Sequence, residues 1–165
     1  MVLNPLFKEI GEKHIQSILN ELENFENKNV LKYKDVLLRN EEYSEYSLRY
    51  KLINYRILIW GETDSSNSQF VILNLPDVNT TVGHTARIDM LISEDEIQAK
   101  ELLLSLINEL VADREFYNIK KLRIRLNEDQ LSKMEKILMS FSFIREAFFQ
   151  SEYEEKDIYQ YCVKI

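Results

Sequence analysis

The sequence predicts an α+β fold in which one mixed sheet carries helices on its faces. Residues 86–126 read as a strand, a tight turn, a long apolar helix and a second strand. That is one βαβ crossover, which requires two parallel strands. Two further stretches, 56–75 and 143–165, contain pairs of strands joined by short polar turns and predict antiparallel hairpins. A sheet with both strand directions is therefore expected.

Length and composition are those of one ordinary domain. The chain has 165 residues, 45% of them hydrophobic, and we expect a single domain over 1–165. The only cysteine, Cys162, cannot form an internal disulfide, and neither a signal-peptide core nor an apolar run of about 18 residues is visible, so a cytoplasmic location is expected. The formal charge of −7 argues against nucleic-acid partners and suits a cationic one, such as a small-molecule or peptide amine. Without a long apolar run, no membrane partner is expected.

The amino-terminal part is predicted to be helical. Residues 6–25 place apolar side chains at helical spacing with polar residues between them, which is typical of an amphipathic helix. A second helix is predicted up to Leu38. Beyond it, Tyr43, Tyr46 and Leu48 suit an exposed turn or a short strand.

Three strands then follow and predict an antiparallel meander. The run 56–60 ends at Gly61, and the run 69–75 ends at a Pro-Asp pair. In the third strand, alternation predicts that Ala86, Ile88, Met90 and Ile92 share one face, and that Arg87, Asp89 and Leu91 share the other.

The crossover helix is predicted over 95–117, and its apolar centre implies burial against the sheet. Its first turn contains Ser93 and Glu96, which match the Ser-x-x-Glu capping box. The parallel strand is 122–126, and Asn127 or Asp129 caps the next helix. Residues 143–153 and 158–165 close the chain as a hairpin, whose aromatic side chains suit either a monomer or a homodimer contact.

This order of elements resembles the GNAT superfamily of acyl-CoA-dependent N-acyltransferases. The resemblance covers about 55–165, and Ser142 and Phe143 stand where the family has a Gly-Phe pair before its sixth strand. It implies the transfer of an acetyl group from acetyl-CoA to a primary amine, directly and within a ternary complex.

The resemblance also implies a cofactor site. In the family the fourth and fifth strands splay apart, the pantetheine arm bonds to the fourth-strand backbone, and the pyrophosphate lies on the amino terminus of the following helix. The family's Gln/Arg-x-x-Gly-x-Gly/Ala loop falls on Glu94, Ile97 and Ala99, of which only Ala99 fits. The cofactor-binding residues that the resemblance implies are Leu91, Ile92, Ile97, Gln98, Ala99, Lys100 and Asn127. Arg123 and Arg125 are suggested as further contacts to the anionic groups of the cofactor.

Proton transfer has no clear family counterpart here. Leu138 stands where many members of the family have the tyrosine that acts as general acid. The candidate general bases are Asp89, Glu62, His84 and a hairpin tyrosine, Tyr153 or Tyr159. The histidines and the cysteine are too scattered for zinc spacing, and no metal site is expected.

Two other hypotheses remain open. Glu94, Asp95 and Glu96 would repel a pyrophosphate, and a capping box would use the same amides, so the chain could be a non-catalytic binding module. It could also be an acyltransferase whose donor is not CoA.

Overall fold

The computed structural model describes residues 7–24, 30–63, 68–76, 84–153 and 155–165, with only the backbone described for 151–153. The helices are α1 (Ile15–Glu23), α2 (Glu45–Ile53), α3 (Glu96–Ala112), α4 (Arg114–Tyr117) and α5 (Glu128–Ser140). The strands are β1 (Lys8–Glu9), β2 (Leu31–Lys34), β3 (Ile57–Glu62), β4 (Gln69–Asn74), β5 (Thr85–Ser93), β6 (Lys121–Leu126), β7 (Ile144–Tyr153) and β8 (Lys156–Lys164).

These strands form one mixed sheet. Its order is β1-β3-β4-β5-β6-β8-β7, with β2 pairing to β5 beside that path. β5 and β6 run parallel and are connected through α3, whereas the other described pairs are antiparallel. The predicted α+β class, the meander and the closing hairpin are confirmed.

Helices cover the sheet on both faces and divide the core in two. The larger cluster joins α3 and α5 to one face, with Leu106, Leu122 and Ile137 fully buried. The smaller cluster joins α1 and α2 to the other face through Ile18 and Leu48. The predicted burial of the crossover helix is confirmed.

The predicted face alternation of β5 is wrong beyond Ile88. Ile72 pairs with Met90 and Leu73 pairs with Ile88, so Asp89 is an extra residue in β5. Such a bulge reverses the alternation that follows it. Consequently Leu91 joins Ile88 in the larger core, while Met90 enters the smaller one.

The amino-terminal elements also differ from the prediction. β1 and a 3-10 turn precede α1, so the first helix is shorter than 6–25. The predicted second helix is instead β2, because pairing with an open edge of β5 outweighs local helix propensity. Leu48 belongs to α2 rather than to a turn or strand. The predicted polar turn between the two strands of 56–75 lies largely outside the described residues, since 64–67 are not described.

Candidate functional site

β5 and β6 diverge after a short stretch of pairing. Thr85–Arg87 pair with Lys121–Arg123 in parallel, and no pairing between the two strands is described beyond Arg87. The gap between the diverging strands, which we call the splay, is occupied by β2. β2 runs antiparallel to β5 and pairs Leu31 with Ser93 and Lys34 with Met90.

Tyr33 anchors β2 inside the splay. Its side chain is 1% exposed and packs in the larger core. The Tyr33 hydroxyl donates to the carbonyl of Arg125 on β6 at 2.7 Å and lies 3.4 Å from the carbonyl of Ile88 on β5. From α5, the Gln130 side chain donates to the Lys34 carbonyl at 2.6 Å. β2 is therefore tied to both walls of the splay and to the helix beyond it.

Asp35, the residue directly after β2, adds ion pairs to these contacts. Its carboxylate is fully buried and accepts hydrogen bonds from Arg125 Nε at 2.8 Å and from the backbone amide of Leu37 at 3.0 Å. Arg87 Nε lies 3.5 Å from the same carboxylate, and the Asp35 amide donates to the Asp89 carbonyl at 2.8 Å. Removing β2 would leave Arg125 without this buried partner.

Asp89, the bulged residue and a predicted base, lies in the same network. Oδ1 accepts from Arg87 Nε at 2.6 Å, and Oδ2 accepts from the Tyr43 hydroxyl at 3.1 Å. The residue is 1% exposed. Two carboxylates, Asp35 and Asp89, thus face two guanidinium groups, and in this conformation Asp89 is shielded from any substrate amine.

Burial sets the protonation of this network. It raises the pKa of the Asp35 carboxyl, and the charge of Arg125 opposes that shift. Burial also raises the pKa values of the Tyr33 and Tyr43 hydroxyls, with a further contribution from the negative charge of Asp89. Burial opposes the charge on Arg87, but its hydrogen bond to Asp89 raises its pKa. Both phenols are therefore donors at neutral pH, and neither is a base.

The turn before α3 is capped differently from the prediction. The N-cap is Asp95, whose side chain accepts from the Gln98 amide at 2.8 Å. Ser93 is fully buried, and its hydroxyl donates to Gln69 Oε1 at 3.0 Å, so the predicted Ser93 capping box is wrong. A buried strand end holds Ser93 toward β4, and the cap moves two residues along the chain.

Several of the residues that the resemblance implies for cofactor binding lie at the start of α3, and Asn127 lies at the start of α5. At the start of α3, Ile97 is 67% exposed, Ala99 is buried and Lys100 pairs with Glu96 at 2.7 Å. Asn127 is the N-cap of α5 in a complete capping box with Gln130, as predicted for the helix start. A role of these residues toward a cofactor remains a prediction.

The two arginines of β6 each have an acidic partner. Arg125 binds Asp35, as described above. Arg123 and Lys121 contact the two carboxylate oxygens of Glu146 at 2.8 and 2.6 Å, and they lower the pKa of Glu146 to about 2. The suggested anion patch is therefore engaged in ion pairs in this structure.

The other predicted bases lie away from Asp89. Glu62 ends β3, opposite Gln69. His84 precedes β5 at the end remote from α3, and its carbonyl accepts from the Lys120 amide. Tyr153 lies in β7 opposite Lys156, with its side chain outside the described part. Among Asp89, Glu62, His84 and Tyr153, only Asp89 is described in the splay.

The sequence prediction missed Tyr33, Asp35, Tyr43 and Gln130. The first two lie in the segment predicted as helix. The alternation of Leu31 and Tyr33 with Lys32 and Lys34 is the period of a strand and could have identified β2. Nothing local indicates that this strand inserts beside β5.

A groove of about 750 Å³ lies on the α1 side of this network. Leu19, Leu22 and Met90 contribute apolar surface to it, and Tyr43 connects it to Asp89. Its charged lining residues are Glu23, Glu45 and Lys34. Among the described residues, no group of three His, Cys, Asp or Glu side chains is arranged to hold a metal ion, and no helix is long and apolar enough to cross a membrane.

Comparison with solved structures identifies the architecture. A ribosomal-protein-alanine N-acetyltransferase from Brucella melitensis aligns over 97% of this chain and 99% of its own, with a TM-score of 0.70 and 12% identity. The chain has the GNAT fold. A GNAT-family protein from Desulfovibrio desulfuricans aligns over 96% of this chain and 97% of its own, with a TM-score of 0.67 and 12% identity.

A third similar structure is the ribosomal-protein-S18-alanine N-acetyltransferase from Escherichia coli. It aligns over 96% of this chain and 92% of its own, with a TM-score of 0.65 and 14% identity. No family model matches the sequence, and no curated protein is significantly similar. The GNAT fold is thus shared over the full length while the sequence has diverged.

The residues of this GNAT fold do not fit acyl-CoA in the conformation described. The backbone at Leu91 and Ile92, where the resemblance places the pantetheine arm, already pairs with β2. The Gln98 amide is bonded to Asp95, and Glu94 and Glu96 add negative charge where a pyrophosphate would lie.

Proposed function

We propose that this GNAT-fold protein is a non-catalytic binding module for an amine, either a small molecule or a peptide. The observation that carries the proposal is the position of β2, which covers the strand edge needed by an acyl-CoA donor. The absence of a tyrosine at Leu138 and the acidic turn at the start of α3 support it independently.

Displacing β2 from the splay would cost free energy. The buried Tyr33 ring would lose its packing, and the Asp35–Arg125 ion pair would break. Taking a buried aromatic side chain out of a core costs about 3–5 kcal/mol. If opening costs about 5 kcal/mol, a donor with an intrinsic Kd of about 1 μM would bind with an apparent Kd of several mM. At ordinary cofactor concentrations the closed form would dominate.

The first experiment measures thermal unfolding of the protein with and without acetyl-CoA at about 1 mM, a concentration that raises the Tm of a protein binding it with a Kd near 10 μM by several degrees. We expect no change in Tm. A rise of that size would contradict the proposal.

The groove beside α1 is where we place the amine. Apolar surface from Leu19 and Leu22 would contact an alkyl chain, and the Glu23 carboxylate would attract the ammonium group. Glu45 also lines the groove, but its carboxylate is already paired with Arg49 at 2.9 Å. Titration calorimetry with spermidine tests this proposal. Glu23→Gln should weaken binding about threefold or more, whereas the exposed control Glu135→Gln should not. Unchanged affinity in Glu23→Gln would remove the groove from the proposal.

A second candidate function is N-acetyl transfer from acetyl-CoA to a primary amine. It is favoured by the retained splay between β5 and β6, by the bulge at Asp89 and by the acetyltransferases among the similar structures. It requires β2 to leave the splay. Acetyl-CoA-dependent stabilisation together with an acetylated amine product would favour it over the binding module.

A further inference from the structure

The helix α2 is apolar on two opposite faces. On one face, Leu48 and Leu52 pack into the smaller core. On the other, Tyr46, Tyr50 and Ile53 follow one another at the i, i+4, i+7 spacing that aligns side chains along a helix. These three residues are 55–81% exposed. A helix needs one apolar face to join its own core, and a second one facing solvent is typical of a surface that binds another molecule.

Tyr55 and Phe116 extend this surface past the end of α2. Their ring centroids lie 5.9 Å apart in an edge-to-face arrangement, and both residues are more than half exposed. We call Tyr46, Tyr50, Ile53, Tyr55 and Phe116 the α2 stripe. At about 150–250 Å² for each large side chain, their exposed fractions leave about 600 Å² in water. That area is at the upper end of what monomers expose and approaches the roughly 800 Å² that each partner buries in a specific interface.

The backbone conformation of Tyr55 is one that glycine would adopt more easily. Its φ of 52° is left-handed, which is uncommon for a bulky residue. The amides of Tyr55 and Arg56 close the helix by donating to the carbonyls of Leu52 and Lys51 at 3.2 and 2.7 Å. A tyrosine in a position suited to glycine, with its ring largely in solvent, points to a contact that the ring makes outside the chain.

The charges beside the stripe differ between the two ends of α2. Acidic residues lie at the amino-terminal end and basic residues toward the carboxy-terminal end, namely Glu41, Glu42 and Glu45, and Arg49, Lys51 and Arg56. The two ends keep these signs although Glu45 and Arg49 also pair within the chain at 2.9 Å. Two antiparallel copies would place each acidic end beside a basic end and oppose the helix dipoles favourably, whereas parallel copies would place like charges together. The α2 stripe is therefore self-complementary, as a two-fold interface requires.

The closing hairpin also exposes aromatic side chains, Phe148 and Phe149 among them. Its outer strand, β7, is an edge of the sheet, but its register with β8 shifts twice, between Arg145 and Ala147 and between Phe149 and Tyr153. Such irregularities keep an edge from pairing with another strand. A second copy therefore fits the regular helix α2 better than this edge.

We propose that the α2 stripe is a homodimer interface, in which α2 packs antiparallel against α2 of a second copy about a two-fold axis. Tyr50, near the middle of the stripe, lies beside the axis, and Tyr46 faces the far end of the stripe on the other copy. Because the buried area is at the small end of specific interfaces, the dimer is reversible, with a Kd of about 10 μM. Association through this face requires no ligand, so the dimer forms whether or not the groove binds an amine.

Sedimentation velocity from about 1 to about 500 μM brackets that Kd and measures the dimer directly. In the double variant Tyr46→Gln with Tyr50→Gln, two rings are replaced by a residue that suits a helix. Phe148→Gln on the hairpin is the matched control, and circular dichroism establishes that each variant is folded. We expect the double variant to dimerise about tenfold or more weakly than wild type, and the control to be unchanged.

Tyr55→Gly separates association from folding and serves if the double variant does not fold. Glycine adopts the left-handed conformation without strain, so the Tm of the dilute monomer should stay within about 3 °C of wild type. Loss of the exposed ring should weaken dimerisation about fivefold or more. An unchanged Kd in this variant would contradict the antiparallel arrangement, which uses this end of the stripe.

Glu45→Lys and Arg56→Glu test the orientation of the two helices. Each variant alone opposes like charges at both ends of the antiparallel pair and should dimerise about threefold or more weakly. An equimolar mixture of the two pairs each altered end with its opposite charge and should recover the wild-type Kd. A mixture that dimerises no better than either variant alone would overturn the antiparallel arrangement.

Two further outcomes would overturn the homodimer interface itself. Wild type that stays monomeric at about 500 μM would exclude a second copy and leave a different protein as the occupant of the stripe. A dimer that is lost in Phe148→Gln and retained in Tyr46→Gln with Tyr50→Gln would assign the interface to the hairpin instead.

Discussion

Asp35 is the residue on which the chemistry of the splay depends most. Its carboxylate is fully buried, satisfies Arg125 and lies within reach of Arg87, and it is brought there by β2. Burial disfavours its charge, so the carboxylate is retained only because the guanidinium groups compensate it. The network therefore depends on both partners remaining present.

Asp35→Asn is expected to lower the free energy of unfolding by about 3 kcal/mol, because it leaves the partly buried Arg125 without its ion-pair partner. Urea denaturation measures the loss. The double variant Asp35→Asn with Arg125→Gln should lose less than the sum of the two single variants, since it removes both charges together. Additive losses would mean that the two side chains do not interact.

Glu146 supplies a pH dependence with a definite sign. Hydrogen bonds from Arg123 and Lys121 lower its pKa to about 2 in the folded protein, below its ordinary value. The stabilisation is therefore present above the unfolded pKa of about 4.3 and is lost as the pH falls toward 2. Because the carboxylate is partly exposed, the effect should be small.

Glu146→Gln should consequently destabilise the protein at pH 6 and have little effect near pH 2, as measured by urea denaturation over that pH range. The exposed variant Glu135→Gln serves as the control. A difference between wild type and Glu146→Gln that is independent of pH would contradict the ion-pair explanation.

Periodicity in the sequence predicted those helices and strands whose formation depends mainly on local sequence. The meander, the crossover and the closing hairpin each follow from alternation, apolar runs and turn residues, and all three are confirmed. β2 was not predictable in this way, because four residues with mixed propensity become a strand only when an unpaired edge is available. The bulge at Asp89 was hidden for the same reason, since the extra residue is defined by its partner strand.

Most of the candidate site also depends on contacts between distant segments, which local sequence does not reveal. Asp89 was predicted from its place on the crossover strand, but its partners Arg87, Tyr43 and Asp35 come together through the bulge and β2. A single sequence therefore identified one member of the network and not the network. Asn127 or Asp129 was predicted to cap α5, and Asn127, whose role is local, is the observed cap.

Asn127→Ala tests that local role. The side chain accepts from the Gln130 amide at 2.9 Å, and the Asn127 amide donates to Gln130 Oε1 at 3.1 Å. We expect the free energy of unfolding to fall by about 1 kcal/mol. Glu135→Ala, on the exposed side of α5, should change it by less than about 0.5 kcal/mol. Equal effects would show that α5 gains nothing from its cap.

For the whole molecule, β2 determines whether the sheet is continuous. Without it, β1-β3-β4-β5 and β6-β8-β7 would be joined within the described sheet by the three residue pairs between β5 and β6. With it, Tyr33 reaches across from β5 to β6, and Gln130 ties α5 to the same strand. An inserted strand thereby provides both the closure of the splay and a second connection between the halves.

Tyr33→Ala should therefore weaken the whole domain, by about 3 kcal/mol, because a buried aromatic ring is removed from the larger core. Tyr33→Phe should cost only about 1 kcal/mol, the value of a hydrogen bond to the Arg125 carbonyl. Urea unfolding followed by fluorescence and by circular dichroism measures both losses. If β2 connects the two halves, the two probes should coincide in wild type and separate in Tyr33→Ala, as the halves lose cooperativity. Coincident transitions with a loss below about 1 kcal/mol in the alanine variant would show that the domain does not need β2 in the splay.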